Sequence, residues 1–553
     1  MFFSIFYLII IFISSIGYGN LLHKILFKNI RYSNFGELGF LGLISLSFLS
    51  TFFHLFLKID INFNVIIYLL GLFLFFYFLK KKFFIFQKNY KYLFISIILL
   101  AVFMLAYHKP NEDFGYYHLP YLINFTSEKV IFGLSTIHTN QGWNSMWLNL
   151  MATYKLPVIS INGFHLANLI FFIFFSIIFC FELLNFKSSI SNSNNLIKFF
   201  CLNFYLYFLL KFSRLNTYGF DVPSNFIAVY CFYLLLIYFN LEKKNFEKKN
   251  YIFNKIILFS FFSATIKLSN ALICLLPIFL FFKKETILFS RSFLFFLFFL
   301  FIWVVQQFIY TGCFLFPLIY SCLNVDWFNA GSVFDLLNHT GGINKSFAQY
   351  KGVLTEAEYI KNFNWVSTWF NRTKVEIFEH FFSFIVIFIF SLFIFIFSKK
   401  KIKNIFDYSF YKIILFILTF QILFWFLSSP VLRFGFHYVL LFIFFLLTFF
   451  LRNILLKKSN YFFIVFLIIL GFLINLNKNF YRIFTEMKNN ATFFYSYPKV
   501  FYETNIIENK NINLNYLLKD KSIYCWDVPS ICIPGDKNIN IDRVNGYIVV
   551  IKK

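Results

Sequence analysis

Long apolar stretches alternate with short polar or charged segments over most of the chain. A helix that crosses a hydrocarbon layer needs about 20 apolar residues, and most of these stretches approach that length. The stretches 199–212, 253–267 and 269–282 are short for a full crossing, so 253–282 fits either two spans or a re-entrant pair. The pattern predicts about fourteen membrane-spanning helices, at residues 2–18, 36–57, 63–79, 92–107, 164–184, 199–212, 222–239, 253–267, 269–282, 290–310, 376–398, 410–428, 433–452 and 460–476.

Composition supports this assignment. Of the 553 residues, 60% are hydrophobic and 13% are charged, which excludes an ordinary water-soluble globular protein. Lys and Arg number 50 against 24 Asp and Glu, a surplus that would suggest nucleic acid in a soluble protein. Here the cations lie in short runs between apolar stretches, as at 80–82 and 399–401. We therefore expect an all-α polytopic membrane protein whose partner is the lipid bilayer and not nucleic acid.

The basic runs also orient the chain in the membrane. If the N-terminus lies outside and the sides alternate, every basic run faces the cytoplasm, as the positive-inside rule requires. Segments 108–163, 311–375 and 477–553 then lie on the periplasmic face. We expect a transmembrane domain at 1–476, which contains the first two of these segments as outer loops, and a periplasmic tail at 477–553. The sequence has no Walker A motif, no Gly-rich nucleotide fingerprint and no zinc-ligand spacing, which disfavours a nucleotide-driven pump.

The eight cysteines divide by position. Cysteines inside apolar stretches are most simply small core residues, and these are Cys180, Cys201, Cys231 and Cys274. Cys313, Cys322, Cys525 and Cys532 lie outside the stretches. A Pro-containing turn separates the last two and would bring their Cα atoms within about 7 Å on the predicted oxidising side, so we predict a disulfide between them. Two free thiols are the alternative.

An acidic pair, Glu112 and Asp113, opens the first outer loop directly after the fourth predicted span. Acidic groups at a membrane surface need solvation, an ionic partner or a function. On a helical turn Asp113 and Tyr117 share one face, whereas Glu112 points about a third of a turn away, so the two carboxylates need not act together. A hydrated helix start with an acidic first turn is the alternative interpretation.

The loop carries motifs that resemble a family of bacterial membrane proteins. That family has approximately an Asp, then Tyr-His-Leu, then Val-x-Gly-Leu-x-x-Leu-His, then Gly-x-Asn-Ser. The corresponding residues are Asp113, Tyr117-His118-Leu119, Val130 to His138 and Gly142-Trp143-Asn144-Ser145. Further matches follow in the same order, at Asp221-Val222-Pro223, Thr265-Ile266-Lys267-Leu268-Ser269, Thr311-Gly312-Cys313 with Asp326-Trp327, Ser429-Pro430 with Arg433-Phe434-Gly435, and Cys525-Trp526-Asp527-Val528-Pro529 with Cys532. Val431 stands where the family has an Asp.

This family is similar to the GT-C membrane glycosyltransferases, in which an acidic residue in the first long outer loop is the catalytic base. The resemblance implies a GT-C-like helix bundle in the bacterial inner membrane. It also implies an inverting transferase that moves a sugar from a polyprenyl-phosphate donor to an envelope glycan, lipid or protein at the periplasmic face. Asp113 would be the base, with Glu112 as the competing assignment. A transporter or flippase for a lipid-linked saccharide and a polysaccharide polymerase are the alternatives.

Lys267 and Arg433 are the candidate phosphate-binding residues. Each would bind the phosphate of the donor lipid or snorkel to the lipid headgroups, and the planar fork of Arg favours phosphate. Asp221 is interpreted as the N-cap of the span that Pro223 begins, with a second acidic site residue as the alternative.

His118 and His138 would orient a donor phosphate or an acceptor hydroxyl, or serve as structural hydrogen bonders. Tyr117 and Asn144 complete the predicted substrate-binding set. The sequence identifies no certain cofactor, and it leaves open a divalent cation bound by Glu112, Asp113 and Asp221, although these three carboxylates do not form a metal motif.

Overall fold

A computed structural model describes residues 2–27, 34–81, 91–106, 113–184, 195–241, 245–282, 290–337, 341–346, 358, 360–396, 408–451, 461–489, 504–509, 512–517, 525–533 and 539–552. Its long helices are α1 (Phe2–Phe27), α2 (Phe35–His54), α3 (Ile61–Lys80), α4 (Lys91–Leu105), α5 (Leu166–Leu184), α6 (Asn195–Lys211), α7 (Asp221–Asn240), α8 (Phe246–Ile266), α9 (Arg291–Thr311), α10 (Trp365–Ile396), α11 (Tyr408–Ser428), α12 (Leu432–Phe450) and α13 (Tyr461–Asn489). Shorter helical segments lie at Phe114–His118, Leu119–Ser127, Leu134–Ile137, Thr139–Gly142, Met146–Ala152, Ile161–Gly163, Leu268–Cys274, Leu275–Phe282, Ile319–Ser321, Ala330–Asp335, Gly341–Ser346 and Lys361–Phe363.

Within these ranges, 10 helices are long and apolar enough to cross a membrane. They are α1, α2, α3, α5, α7 and α9 to α13. The prediction of a polytopic membrane protein is therefore confirmed, and all of its candidate spans are α-helical. The prediction of an all-α chain is wrong for the tail, which forms the strands described below. The other predicted spans correspond to α4, α6 and α8 and to the segment Leu268–Phe282, so the count of fourteen stays a prediction.

The segment after α8 folds back along that helix. Lys267 has an extended backbone (φ −149°, ψ 121°) that ends α8, and a 3-10 helix follows at Leu268–Cys274. The Asn270 side chain then donates to Ser263 Oγ at 3.1 Å. The ambiguous stretch 253–282 is thus a helical hairpin whose turn is Lys267.

Glycines allow α1 and α2 to pack at backbone contact distance. A Cβ atom on Gly19 would lie 1.7 Å from the carbonyl oxygen of Leu38, and one on Gly42 would lie 1.8 Å from that of Ser15. Small residues at such crossings let membrane helices approach closely where lipid provides no hydrophobic driving force. Any larger side chain at either position would separate the two helices.

Strands form in the tail. β1 (Thr504–Asn509) pairs antiparallel with β2 (Ile512–Leu517), and β3 (Cys532–Ile533) joins β2 in parallel. β4 (Ile539–Val544) and β5 (Tyr547–Lys552) form a hairpin. Its two-residue turn, Asn545-Gly546, has positive φ at both positions (50° and 79°), as Asn-Gly hairpin turns require. The last helix, α13, runs 13 residues past the predicted boundary at 476 before these strands begin.

The first predicted outer loop and the tail hairpin lie at the same end of the bundle. Gly133 N–H donates to the carbonyl of Ile309, near the end of α9, at 3.0 Å. The neighbouring residue Phe132 exchanges two backbone hydrogen bonds of 2.9 Å with β5. Loop and hairpin must therefore face the same side of the membrane.

We expect topology reporters to place this end in the periplasm. A reporter fused after residue 490 should be active outside, and one fused after residue 401 should be active in the cytoplasm, because the basic runs would then all remain inside. Paired fusions of a periplasm-active and a cytoplasm-active reporter at each site measure the sidedness. Cytoplasmic activity after residue 490 would mean an odd number of spans, and the hairpin at 253–282 would be the first segment to re-examine.

Candidate functional site

Asp113 stands at the start of a π-helical turn, Phe114–His118, that the tail holds in place. Trp526 N–H donates to the carbonyl of Gly115 at 3.0 Å. A Cβ atom on Gly115 would lie 2.3 Å from the Trp526 ring, so only glycine fits beneath the indole. On the other side, the Phe114 ring lies 3.7 Å from the ring of Tyr218. Glu112, the competing acid, lies outside the described residues.

Four charged residues from distant parts of the chain form one set of ion pairs. An Arg433 amino group donates to Asp113 Oδ2 at 2.8 Å, and Arg433 Nε lies 3.4 Å from Asp221 Oδ2. Lys267 pairs with the other oxygen of Asp221. We term these four residues the ion-pair chain, in the order Asp113, Arg433, Asp221, Lys267. Side-chain exposure falls from 46% at Arg433 to 12% at Lys267, so the set reaches from solvent into the bundle.

Helix ends bring these charges together. Asp221 is the first residue of α7, but the N-cap position is Phe220 and no side-chain cap is made there. The capping interpretation of Asp221 is therefore wrong, because its carboxylate is occupied by the two cations. Arg433 is the second residue of α12, and Asn225 of α7 donates to its backbone carbonyl at 2.8 Å.

Lys267 is positioned by the hairpin turn described above. Ser224 and Ser263 exchange hydrogen bonds of 3.2 and 3.0 Å between side chain and backbone, and these bonds tie α7 to α8 just below the turn. The Lys267 ammonium lies 3.1 Å from the centroid of the Phe434 ring, a cation–π contact. The Lys267 ammonium therefore contacts both the Phe434 ring and the Asp221 carboxylate.

His118 borders the ion-pair chain and is buried. Its Nε2 atom has no hydrogen-bond partner in the described part of the chain. Burial lowers the pKa of the His118 imidazole to about 4, while the carboxylates of Asp113 and Asp221 act in the opposite direction. The ring is thus neutral at pH 7, with one N–H donor and one acceptor nitrogen. Burial, followed by the charge of Asp113, raises the pKa of the neighbouring Tyr117 hydroxyl.

The other two predicted binding residues make contacts that fasten the loop. His138 Nδ1 accepts from the backbone N–H of Asn140 at 3.2 Å. The Asn144 side chain donates to the carbonyl of Trp303 on α9 at 2.9 Å, and the Trp303 indole donates back to the Asn144 carbonyl at 2.8 Å. These contacts join the loop to itself and to α9.

No metal cluster is present among the described residues: they contain no group of three or more His, Cys, Asp or Glu side chains arranged to hold a metal ion. Asp113 and Asp221 are instead engaged by cations. Glu112, the third predicted ligand of a divalent cation, is not among the described residues.

Two residues of this region were missed by the sequence reasoning. Trp526 was noted only as part of a motif, and its contact with Gly115 links segments 411 positions apart. His437 lies in a predicted apolar span, four residues after Arg433 and therefore on the same helix face. An ionisable residue inside an apolar span is itself a signal, and it could have identified His437.

The structure has two disulfides. Cys525 and Cys532 are bonded with a Cα–Cα distance of 6.0 Å, the pairing that the sequence predicts. Cys313 and Cys322 form a second bridge that the sequence reasoning did not propose. Cys180, Cys201, Cys231 and Cys274 are free.

Thiol counting checks both bridges. In the denatured protein we expect four cysteines to react with a maleimide without reductant and all eight to react after reduction. Cys525→Ser should raise the unreduced count by one, because it releases Cys532, whereas Cys180→Ser should lower it by one. Labelling of Cys525 and Cys532 in the unreduced wild-type protein would contradict the tail bridge.

A family model described as Domain of unknown function (DUF8201) matches residues 1–440. No curated protein and no solved structure matches the chain. The matched region includes every member of the ion-pair chain, whereas Trp526 and the tail lie beyond it.

Proposed function

We propose, for a chain that belongs to the DUF8201 family, that it is a GT-C-like membrane glycosyltransferase. It would move a sugar from a polyprenyl-phosphate-linked donor to a glycan, lipid or protein acceptor at the periplasmic face of the bacterial inner membrane. The observation that carries this proposal is the ion-pair chain, because it joins one carboxylate, Asp113, directly to Arg433 and, through Arg433 and Asp221, to Lys267, and both cations lie at the ends of helices. General base and phosphate-binding groups are then adjacent at the bilayer surface.

The chemistry assigned to these residues is a single displacement with inversion. Asp113 removes the proton from the acceptor hydroxyl, and the acceptor oxygen forms a bond to the anomeric carbon of the sugar. The bond from that carbon to the phosphate oxygen breaks, and its electron pair stays on the lipid phosphate. Arg433 and Lys267 stabilise this developing negative charge.

The pairing of Asp113 with Arg433 gives the reaction an order. A donor phosphate that binds the Arg433 guanidinium competes with Asp113 for the same N–H groups, whose planar fork suits phosphate oxygens. Donor binding would therefore release the Asp113 carboxylate to accept a proton. Asp221 would keep Lys267 and Arg433 in position during this exchange.

A transporter or flippase for a lipid-linked saccharide is the second candidate, and one observation favours it. Lys255 of α8 and Glu37 of α2 form an ion pair whose side chains are only 1% and 4% exposed. Buried charges within membrane helices often mark transport pathways, and a buried pair by itself is weak evidence for a stability role. A polysaccharide polymerase would share the outer site and differ in its acceptor.

Transfer of a labelled sugar from a polyprenyl-phosphate donor tests the proposal. Membranes from cells that lack the endogenous copy should form labelled product when the wild-type chain is supplied, and should form little product with Arg433→Met. Translocation of labelled lipid-linked saccharide in proteoliposomes is the competing assay. Translocation without transfer, sensitive to Glu37→Gln, would favour the transporter.

A further inference from the structure

His437 is a buried polar residue that the reaction scheme above does not use. It lies on α12, one helical turn after Arg433 and about 6 Å further into the bundle along the helix axis. Its side chain is 1% exposed, and neither ring nitrogen has a hydrogen-bond partner in the described part of the chain. A buried polar group without a partner lowers the stability of the folded protein by about 1–3 kcal/mol, and the His437 imidazole is such a group.

The neighbours of the His437 ring are aromatic, because its centroid lies 3.9 Å from that of the Tyr438 ring and 5.8 Å from that of the Phe436 ring. The adjacent Tyr438 donates its hydroxyl to Asn270 Oδ1 at 2.9 Å, and the Asn270 side chain donates to Ser224 Oγ at 2.7 Å. Lys267 lies within electrostatic range of the His437 ring. His437 thus lies one helical turn after Arg433 on α12 and within electrostatic range of Lys267, and His118 of the loop lies within electrostatic range of both cations.

We propose that His437 is a ligand-binding residue of this site, whose ring N–H donates to a phosphate oxygen of the donor lipid. This inference rests on the proposed function and adds a third phosphate contact to Lys267 and Arg433. A lipid phosphate enters the site from the bilayer. A hydrogen-bond donor such as the His437 N–H, about one helical turn deeper than Arg433, would therefore contact the phosphate on its lipid-facing side. A neutral N–H donor provides this contact without adding charge to a site that already holds two cations and two carboxylates.

Binding of a short-chain polyprenyl phosphate to the purified full-length protein in phosphatidylcholine nanodiscs tests the inference. His437→Phe keeps an aromatic ring but removes both nitrogens, and we expect roughly tenfold weaker binding, which corresponds to about 1.4 kcal/mol. The melting temperature should be unchanged or higher, because an unpartnered buried polar group has been removed. His437→Gln restores an N–H donor and should recover part of the affinity. Unchanged affinity in His437→Phe would overturn the inference.

Gln421→Met is the matched control. Gln421 on α11 is 1% exposed, and neither polar atom of its side chain has a partner among the described residues, yet it is not assigned to the site. Its replacement should leave the affinity unchanged. If Lys267→Met weakens binding while His437→Phe does not, the role of His437 is lost and the proposed function stands. If polyprenyl phosphate fails to bind the wild-type protein, the proposed function itself fails.

Two further probes identify the source of the phosphate. Inorganic phosphate should bind at least tenfold more weakly than the lipid phosphate, and nanodiscs made with phosphatidylglycerol should compete little for the site. In the opposite outcome, phosphatidylglycerol competes as well as the lipid phosphate in the wild-type protein and fails to compete in His437→Phe. That result would assign the contact to a membrane headgroup and overturn the donor assignment.

Discussion

Replacing Asp113 with Asn is expected to remove most sugar transfer while leaving the protein folded and able to bind lipid phosphate. A positioned general base contributes about 10²- to 10⁴-fold in rate, so the loss should fall in that range. The substitution preserves the shape of the side chain and can still accept a hydrogen bond from Arg433. Binding of the lipid phosphate should be equal or tighter, because Arg433 loses a competing carboxylate. Initial rates of transfer and equilibrium binding measure the two effects separately.

Two acidic residues serve as controls for Asp113. Glu128→Gln changes an acid of the same loop that pairs with Arg543 at 3.5 Å, and transfer should remain near the wild-type rate. Glu112→Gln should have a milder effect than Asp113→Asn. Near-normal transfer in a folded Asp113→Asn protein would refute the catalytic assignment. A larger loss in Glu112→Gln would move the role of base to Glu112.

The sequence was sufficient to identify the members of the ion-pair chain but not their contacts. Asp113, Asp221, Lys267 and Arg433 were each noted separately as polar residues at the predicted outer ends of apolar stretches. Their pairing depends on which helix ends meet, and this follows from packing details such as the Ser224–Ser263 bonds between α7 and α8. Hydropathy defines the length of a helix and carries no information about its neighbours.

The misinterpretation of Asp221 has a related cause. An Asp before a helix with Pro in its first turn is a common local start signal, and local rules favour capping. The two cations that pair with its carboxylate, Lys267 and Arg433, lie 46 and 212 residues further along the chain, where no local rule applies. The contact between Trp526 and Gly115 could not be predicted from the sequence for the same reason, because the two residues are far apart along the chain.

Lys267→Met is expected to lower both transfer and stability, and the double variant Asp221→Asn/Lys267→Met should separate the two effects. The single change leaves Asp221 with only Arg433 as a cation among the described residues. Breaking a fully buried pair costs about 3–5 kcal/mol, and the loss should be smaller here because both side chains retain some exposure. Loss of one preorganised electrostatic contact in the transition state should reduce transfer by about 10²- to 10³-fold.

In the double variant the Asp221 carboxylate, which loses its Lys267 partner in the single variant, is also removed. The melting temperature should therefore return towards that of the wild type. Transfer should not return, because the phosphate still lacks the Lys267 ammonium. Lys211→Met, which breaks a partly exposed pair with Glu379 at 3.5 Å, controls for the loss of a cation near a helix end. Its transfer rate should stay close to that of the wild type. Recovery of transfer together with stability in the double variant would show that Lys267 acts only as a structural partner of Asp221, and phosphate binding would then rest on Arg433.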